Sequence, residues 1–130
     1  MNELPPFHLA ISVNNFESCK IFYKEILGCK EGRSSDHWAG FNFFGHHLVI
    51  HFEKSRINSS NSNLIDGKEV PVPHFGIIIK WNDFADSLTK KKVKFIIKPY
   101  TRFKDLVGEQ STMFFKDPSE NALEFKSFKD

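Results

Sequence analysis

The sequence predicts an α+β fold built from two successive β-α-β-β-β modules, and two observations predict it. Apolar residues alternate in several short stretches, as in strands, and recur every three or four positions in others, as in helices. These stretches follow the same order in modules of about residues 5–53 and 71–128, separated by a Ser- and Asn-rich polar loop at 54–70. We expect one domain, residues 1–130, in which the modules form a cupped, mostly antiparallel sheet with helices on its outer face.

Each module begins with a strand-like stretch that carries a histidine near its start. The stretches are FHLAISV at residues 7–13 and PHFGIII at residues 73–79. Because side chains alternate along a strand, His8 lies on the face of Ala10 and Ser12, and His74 lies on the face of Gly76 and Ile78. The small neighbours of His8 indicate room in front of it.

A helix is expected after the first strand, because Asn14 or Asn15 can cap it and Gly28 can end it. Two strands are then predicted around residues 38–44 and 48–52, separated by a glycine turn. The apolar residues at helical spacing are Phe16, Cys19, Phe22, Tyr23, Ile26 and Leu27.

The second module repeats this order with a shorter helix. Asn82 or Asp83 can cap a helix that carries Phe84, Ala85 and Leu88. A strand at residues 93–97 is expected to stop at Pro99, because proline cannot donate to a strand ladder. After a loop at 100–110, a strand at 111–115 is expected to form a hairpin with the last strand of the chain.

Composition and charge are those of an ordinary globular domain, with 40% hydrophobic and 26% charged residues and a net charge of +2. Nucleic-acid binding is not predicted, because the sequence has no basic stripe with interleaved aromatic residues. No apolar run is long enough to span a membrane. Residues 1–6 lack the pattern of a signal peptide, so a cytoplasmic location is expected. Cys19 and Cys29 are then expected to be free thiols.

The last predicted strand carries a carboxylate between two large apolar residues. In the stretch DPSENALEFK, Glu124 lies between Leu123 and Phe125 and points to the opposite side. An ionised carboxylate is costly to bury alone, so Glu124 is expected to be exposed, paired with another side chain or bound to a metal.

Four polar residues coincide when the two modules are laid on each other. His8 and His74 occupy the same place in the first strands, and His51 and Glu124 are interpreted as occupying matching places in the last strands. Two modules related by a pseudo-two-fold axis would bring the four side chains together. Imidazoles and a carboxylate suit Zn, Fe, Ni, Co or Mn.

The motifs FHLAISV, FYKEILG, PHFGIII and DPSENALEFK resemble the vicinal oxygen chelate superfamily, which includes glyoxalases, bleomycin-resistance proteins and extradiol dioxygenases. This resemblance covers nearly the whole chain and implies that His8, His74 and Glu124 are metal ligands. His51 departs from the Glu or Gln that glyoxalases usually carry there. Glu120 departs from the usual Gly of the turn and would strain it if the position needs a positive φ.

The leading functional prediction is an extradiol-dioxygenase-like enzyme. His8, His74 and Glu124 would hold a divalent metal, with Fe(II) favoured and Mn, Zn, Ni or Co as alternatives, and a small-molecule substrate would chelate it through vicinal oxygens. His51 would act as a catalytic acid or base beside the metal, or as a fourth ligand. An apolar substrate pocket is predicted from Trp38, Phe41, Phe43 and Phe114.

Two other functions stay open. A glyoxalase-type isomerase or lyase would need a base near the metal, and His51 or Glu109 could serve. A non-catalytic drug-binding protein of the bleomycin-resistance kind would not need the metal ligands. In each case a homodimer is expected, because the edge strands of open modules are usually covered by two-fold association.

Overall fold

The computed structural model describes residues 4–56, 61–80, 88–91 and 93–129, which fall into two compact units, Met1–Ile57 (unit 1) and Asn58–Asp130 (unit 2). The strands of unit 1 are β1 (His8–Val13), β2 (Lys30–Ser34), β3 (Trp38–Phe43) and β4 (His46–Phe52). The described strands of unit 2 are β5 (Asn61–Ile65), β6 (Lys68–Val72), β7 (Phe75–Ile78), β8 (Phe95–Arg102), β9 (Gln110–Lys116) and β10 (Ala122–Phe128).

Unit 1 is a four-stranded sheet with a helix on one face. The strand order is β1-β4-β3-β2, with β1 and β4 parallel and the other neighbours antiparallel. Helix α1 (Phe16–Ile21) continues into a π-helical turn (Phe22–Ile26), and Gly28 follows with a φ of 75°. The Tyr23 ring of that turn lies 5.9 Å from the ring of Phe41 in β3.

The core of unit 1 lies between this helix and the sheet. It contains most of the helical residues of the predicted apolar face and alternate residues of the central strands, which confirms both periodicities. Val49, on the opposite face of β4, is buried as well. The buried residues include Val13, Phe16, Cys19, Phe22, Tyr23, Leu27, Ala39, Phe41, Phe43, Leu48 and Ile50.

Unit 2 repeats the sheet of unit 1. Its strand order is β7-β10-β9-β8, again with the first pair parallel and the other pairs antiparallel. Leu123 and Phe125 of β10 are fully buried, and the Phe125 ring packs edge-on against Phe115 at 5.0 Å. The mostly antiparallel α+β architecture with a repeated module is confirmed.

The segment predicted as a polar loop at 54–70 is a loop only in part. β5 and β6 pair as an antiparallel hairpin whose turn is Asp66-Gly67, with φ values of 55° and 73°. Asp-Gly is the preferred dipeptide of a two-residue hairpin turn, because both central residues need positive φ. The sequence therefore held a hairpin signal that the Ser- and Asn-rich composition obscured.

The strand predicted at 93–97 does not stop at Pro99, because β8 continues to Arg102. β8 is the outer strand of its sheet, where a residue without an N–H group can be tolerated. Its pairing with β9 also shifts register between Ile97 and Tyr100, which brackets the proline. The predicted loop at 100–110 is correspondingly shorter.

The predicted second helix is described only at its end, and the predicted thiol state of the two cysteines is confirmed. Most of the second helix, with its proposed caps and Phe84, falls at residues 81–87, outside the described residues; residues 88–90 are helical and Leu88 is fully buried. Cys19 and Cys29 are buried thiols that are not joined in a disulfide, as expected, and burial raises the pKa of the Cys29 thiol to about 11.

The DPSEN turn between β9 and β10 is organised by a buried aspartate. Asp117 Oδ1 accepts the backbone N–H groups of Ser119 at 2.8 Å and Asn121 at 2.9 Å. Glu120 has a φ of 70°, so this position does require a left-handed backbone. Among the described helices, none is long and apolar enough to cross a lipid bilayer.

Candidate functional site

Unit 2 brings two of the predicted site residues into direct contact. His74 immediately precedes β7, and Glu124 lies on β10, the strand that runs parallel to β7. His74 Nε2 lies 3.0 Å from Glu124 Oε1. The pair is largely enclosed, with 27% of the His74 side chain and 11% of the Glu124 side chain exposed.

A glycine allows β7 to pass close to Glu124. Gly76 is the register partner of Glu124, and a Cβ atom at Gly76 would lie only 1.5 Å from the Glu124 carbonyl oxygen. No side chain fits at that distance. Gly76 is therefore a requirement of the close strand approach that holds Glu124 beside His74.

The Glu124 carboxylate is paired on both oxygens. The Thr112 hydroxyl donates to Oε2 at 2.6 Å, and Lys126 Nζ lies 3.3 Å from the same oxygen. Burial raises the pKa of Glu124, but the hydrogen bonds from His74 and Thr112 and the Lys126 charge outweigh it and bring this pKa to about 2. Glu124 was expected to be exposed, paired or bound to a metal, and the structure shows it paired with His74, Thr112 and Lys126.

The His74 ring is oriented by its second nitrogen. Nδ1 donates to the Pro71 carbonyl oxygen at 2.7 Å, so Nε2 is the nitrogen directed at Glu124. The hydrogen bond to Glu124 raises the pKa of His74, burial opposes that rise, and the Pro71 carbonyl adds to it. Histidines that bind metals are commonly oriented by such a carbonyl, which leaves the other nitrogen free to coordinate.

Unit 1 pairs His8 with a histidine that the sequence reasoning did not select. His8 and His47 are register partners on β1 and β4, their Nδ1 atoms lie 2.8 Å apart, and their rings stack with centroids at 4.9 Å. One Nδ1 must donate and the other accept. The signal was present in the sequence, because His47 shares the strand face of Val49 and His51.

The interpretation that His51 and Glu124 occupy matching places is wrong by two residues. In unit 2, Phe75 pairs with Leu123, and the same register places Ala122 opposite His74. Glu124 therefore lies two residues beyond the residue opposite His74. In unit 1, His47 lies opposite His8, so the position two further on is Val49. A two-residue shift keeps every side chain on its face, so alternation alone cannot detect it.

His51 is therefore placed differently from the expectation. It is exposed, and its register partners are Ser12 on β1 and Trp38 on β3. Its proposed role as an acid, base or ligand stays a prediction.

The predicted pocket aromatics separate into different environments. Trp38 lines a groove of about 570 Å³ in unit 1, on the sheet formed by β2, β3 and β4. Phe41 and Phe43, on the other face of β3, pack against Tyr23 of the helix, with ring centroids 5.9 and 6.5 Å away. In unit 2, Phe114 packs edge-on against His74 at 5.1 Å.

Among the described residues, no group of three or more His, Cys, Asp or Glu side chains is arranged to hold a metal ion. The structure thus brings together His74 with Glu124 and, separately, His8 with His47. The three-ligand set His8, His74 and Glu124 stays a prediction.

The family described as the Glyoxalase/Bleomycin resistance protein/Dioxygenase superfamily matches residues 6–125. The chain belongs to this superfamily. The resemblance predicted from the sequence motifs is therefore confirmed. The family's description spans enzymes and resistance proteins, so membership fixes the fold more narrowly than the reaction.

Solved structures agree with this assignment. A glyoxalase/bleomycin resistance protein/dioxygenase from Alicyclobacillus acidocaldarius is 29% identical, with 97% of this chain and 92% of that chain covered and a TM-score of 0.79. Lactoylglutathione lyase from Agrobacterium tumefaciens is 12% identical, with 98% and 96% covered and a TM-score of 0.67, and therefore shares the fold alone. No curated protein sequence matches the chain significantly.

Proposed function

We propose that this superfamily member is a metal-dependent enzyme of the extradiol-dioxygenase-like kind, which binds a small-molecule substrate through vicinal oxygens. His74 and Glu124 would supply two metal ligands, and His8 is the predicted third. The observation that carries the proposal is the contact between His74 Nε2 and Glu124 Oε1, at 3.0 Å, beside the Pro71 carbonyl that orients the histidine.

The chemistry of this pair supports a divalent metal. Glu124 is ionised at neutral pH because its pKa is about 2, and His74 presents Nε2, the nitrogen not used by Pro71. Metal binding would require Nε2 to lose its proton, which a cation near an ionised carboxylate favours. Thr112 donates to the other carboxylate oxygen, so Oε1 is the oxygen left to coordinate.

Two histidines and one carboxylate with open positions favour Fe(II), and Mn, Zn, Ni and Co fit the same ligands. When bound, such a metal polarises substrate oxygens and lowers the pKa of a coordinated hydroxyl. His51 is retained as a proposed acid or base rather than a ligand, since three protein ligands leave room for a chelating substrate.

A non-catalytic binding protein is the second candidate, and one observation favours it. The His74–Glu124 pair already satisfies both side chains by a charge-assisted contact, with Lys126 as an additional cation. Such a pair is stable without a metal. A glyoxalase-type isomerase or lyase would use the same ligands as the dioxygenase and differs only in the reaction.

Elemental analysis of protein purified without chelator or added metal tests the proposal. We expect about one divalent metal per chain, and His74→Ala or Glu124→Ala should weaken binding by ~100-fold or more, because each removes a ligand. His37→Ala is the control, since His37 is exposed and contacts Asp36. Wild-type protein that stays metal-free after incubation with Fe(II), Mn, Zn, Ni and Co in turn would favour the binding protein.

Oxygen uptake with a panel of catechols then distinguishes a dioxygenase from a glyoxalase-type isomerase or lyase.

The His51→Ala variant tests the role of His51. An acid or base role predicts that this variant keeps the metal while turnover falls ~100-fold. Loss of metal from His51→Ala would instead make it a ligand.

We also propose a homodimer. β8 lies at the edge of its sheet and β2 at the edge of the other, and exposed edges are commonly covered by association. A monomer in sedimentation at micromolar concentration would contradict this.

A further inference from the structure

We propose that unit 1 carries a binding groove for a planar aromatic carboxylate. The groove of about 570 Å³ is formed by residues of unit 1 alone, and its size is that of a small-molecule site. As a substrate site it rests on the function proposed above, and as a binding site it rests on its own geometry.

The floor of the groove includes one position that lacks a side chain. Gly40 lies between Trp38 and Asn42 on the same face of β3, and its register partner is Val49. A Cβ atom at Gly40 would lie 3.3 Å from His47 Nε2 and 3.3 Å from the Arg33 carbonyl oxygen. The His47 imidazole therefore extends across the sheet above Gly40.

The lining favours a planar ligand. Trp38 presents an indole, His47 presents an imidazole, and Val49 adds an apolar side chain beside Gly40. Aromatic ligands gain both burial and ring stacking from such walls. A branched aliphatic ligand would gain only the burial.

The charge of the β2 side favours an anion. Lys30 and Arg33 line the groove and are exposed, and neither has a carboxylate partner within the described part of the chain. Glu31 does not neutralise them, because Lys20 and Lys24 lie 3.8 Å from its two oxygens and the Ser34 hydroxyl donates to it at 2.8 Å. The groove thus has two uncompensated cations at one side.

The register connects these cations with the predicted site residue of unit 1. Lys30 pairs with Asn42, Asn42 pairs with His47, and His47 pairs with His8, so the four lie in one row across the sheet. His47 contacts the groove floor through Nε2 and His8 through Nδ1. A carboxylate held by Lys30 or Arg33 would direct the ring of the ligand along this row, towards His8.

Trp38 fluorescence provides a direct test. The chain has two tryptophans, so Trp81→Phe leaves Trp38 as the reporter. In this background, with EDTA present, the protein is titrated with benzoate and 3,4-dihydroxybenzoate and with their neutral analogues benzamide and catechol. We expect each carboxylate to bind ~10-fold more tightly than its neutral analogue, because a charge-assisted hydrogen bond contributes about that factor.

Three variants locate the carboxylate. Lys30→Gln and Arg33→Gln should each weaken carboxylate binding by several fold, up to ~10-fold, and leave benzamide binding unchanged. Lys54→Gln is the matched control, because Lys54 is an exposed lysine of unit 1 that does not line the groove. Equal affinity for carboxylates and neutral analogues, absence of any binding, or no effect of either groove variant would overturn the proposal.

The two proposals fail separately. Carboxylate binding in EDTA by a protein that takes up no divalent metal would keep the groove and reject the metalloenzyme. Metal uptake by a protein that binds none of these ligands would keep the metal-binding proposal and reject the groove.

Discussion

Unit 1 and unit 2 contain the same sheet, with the same strand order and a parallel pair at one edge, yet they place different chemistry on that pair. In unit 2 the pair joins a histidine to a carboxylate, His74 to Glu124, whereas in unit 1 it joins two histidines, His8 and His47. A repeated backbone therefore fixes where polar groups can meet and leaves the sign of their charge to the side chains.

The difference comes from two positions. In unit 2, Glu124 lies two residues beyond Ala122, the residue opposite His74. In unit 1, the apolar Val49 lies two residues beyond His47, the residue opposite His8. The residue facing it is Gly76 in unit 2 and Ala10 in unit 1. Unit 2 thus has a carboxylate beside its histidine, while unit 1 combines imidazoles with the cations Lys30 and Arg33.

The largest expected effect is an acid dependence of stability to which Glu124 contributes most, because its pKa is lowered the furthest. Its folded pKa of about 2 lies below the ordinary 4.5, so its stabilising contribution is complete above about pH 4.5 and is lost as the pH falls towards 2. We expect a loss on the order of 3 kcal/mol in the free energy of unfolding across this window, by urea denaturation.

The His74–Glu124 pair also makes stability depend on pH in the opposite direction, through the histidine. The pKa of His74 is raised above 6.5, so the contribution of its charged form is complete below about pH 6.5 and is lost as the pH rises through the raised value. Glu124→Gln should reduce the pH dependence of stability in both ranges, while Glu17→Gln, at an exposed helix position, should leave it unchanged. An unchanged acid dependence in Glu124→Gln would show that the carboxylate does not carry the effect.

A smaller effect is expected at the glycine that distinguishes the two parallel pairs. Gly76→Ala would place a Cβ atom against the Glu124 backbone, so we expect it to cost about 2 kcal/mol or more of unfolding free energy. Ala10→Gly, the converse change in unit 1, should cost only about 0.5–1 kcal/mol through added backbone entropy. Equal costs for the two changes, by urea denaturation, would mean that the strands are equally close in both units.

The smallest effect concerns the turn that precedes Glu124. Glu120→Asn should stabilise the protein by about 1 kcal/mol relative to Glu120→Gln, because Asn tolerates the left-handed backbone at a φ of 70°. Both variants remove the charge that contacts Lys94 and Lys116, so the difference between them isolates the backbone strain. Identical melting temperatures for the two variants would contradict this explanation.

Much of the fold could be predicted because hydrophobic periodicity decides it locally. The helix up to Gly28 and the strands with Trp38, Leu48, Leu123 and Phe125 follow directly from which residues avoid water. The hairpin β5–β6 was missed because its polar composition outweighed the Asp66-Gly67 signal. The extension of β8 past Pro99 depends on that strand lying at a sheet edge, which is not a local property.

The sequence by itself determined the repeated module and the superfamily and singled out His74 and Glu124, which the structure brings into contact, because each depends on residue type and short-range spacing. The tertiary structure alone decided register, and with it that His47 rather than His51 contacts His8 and that Thr112 and Pro71 orient the unit 2 pair. The physical reason is the two-residue period of a strand: a shift by two preserves every buried face, so only the hydrogen bonds between strands distinguish one register from the next.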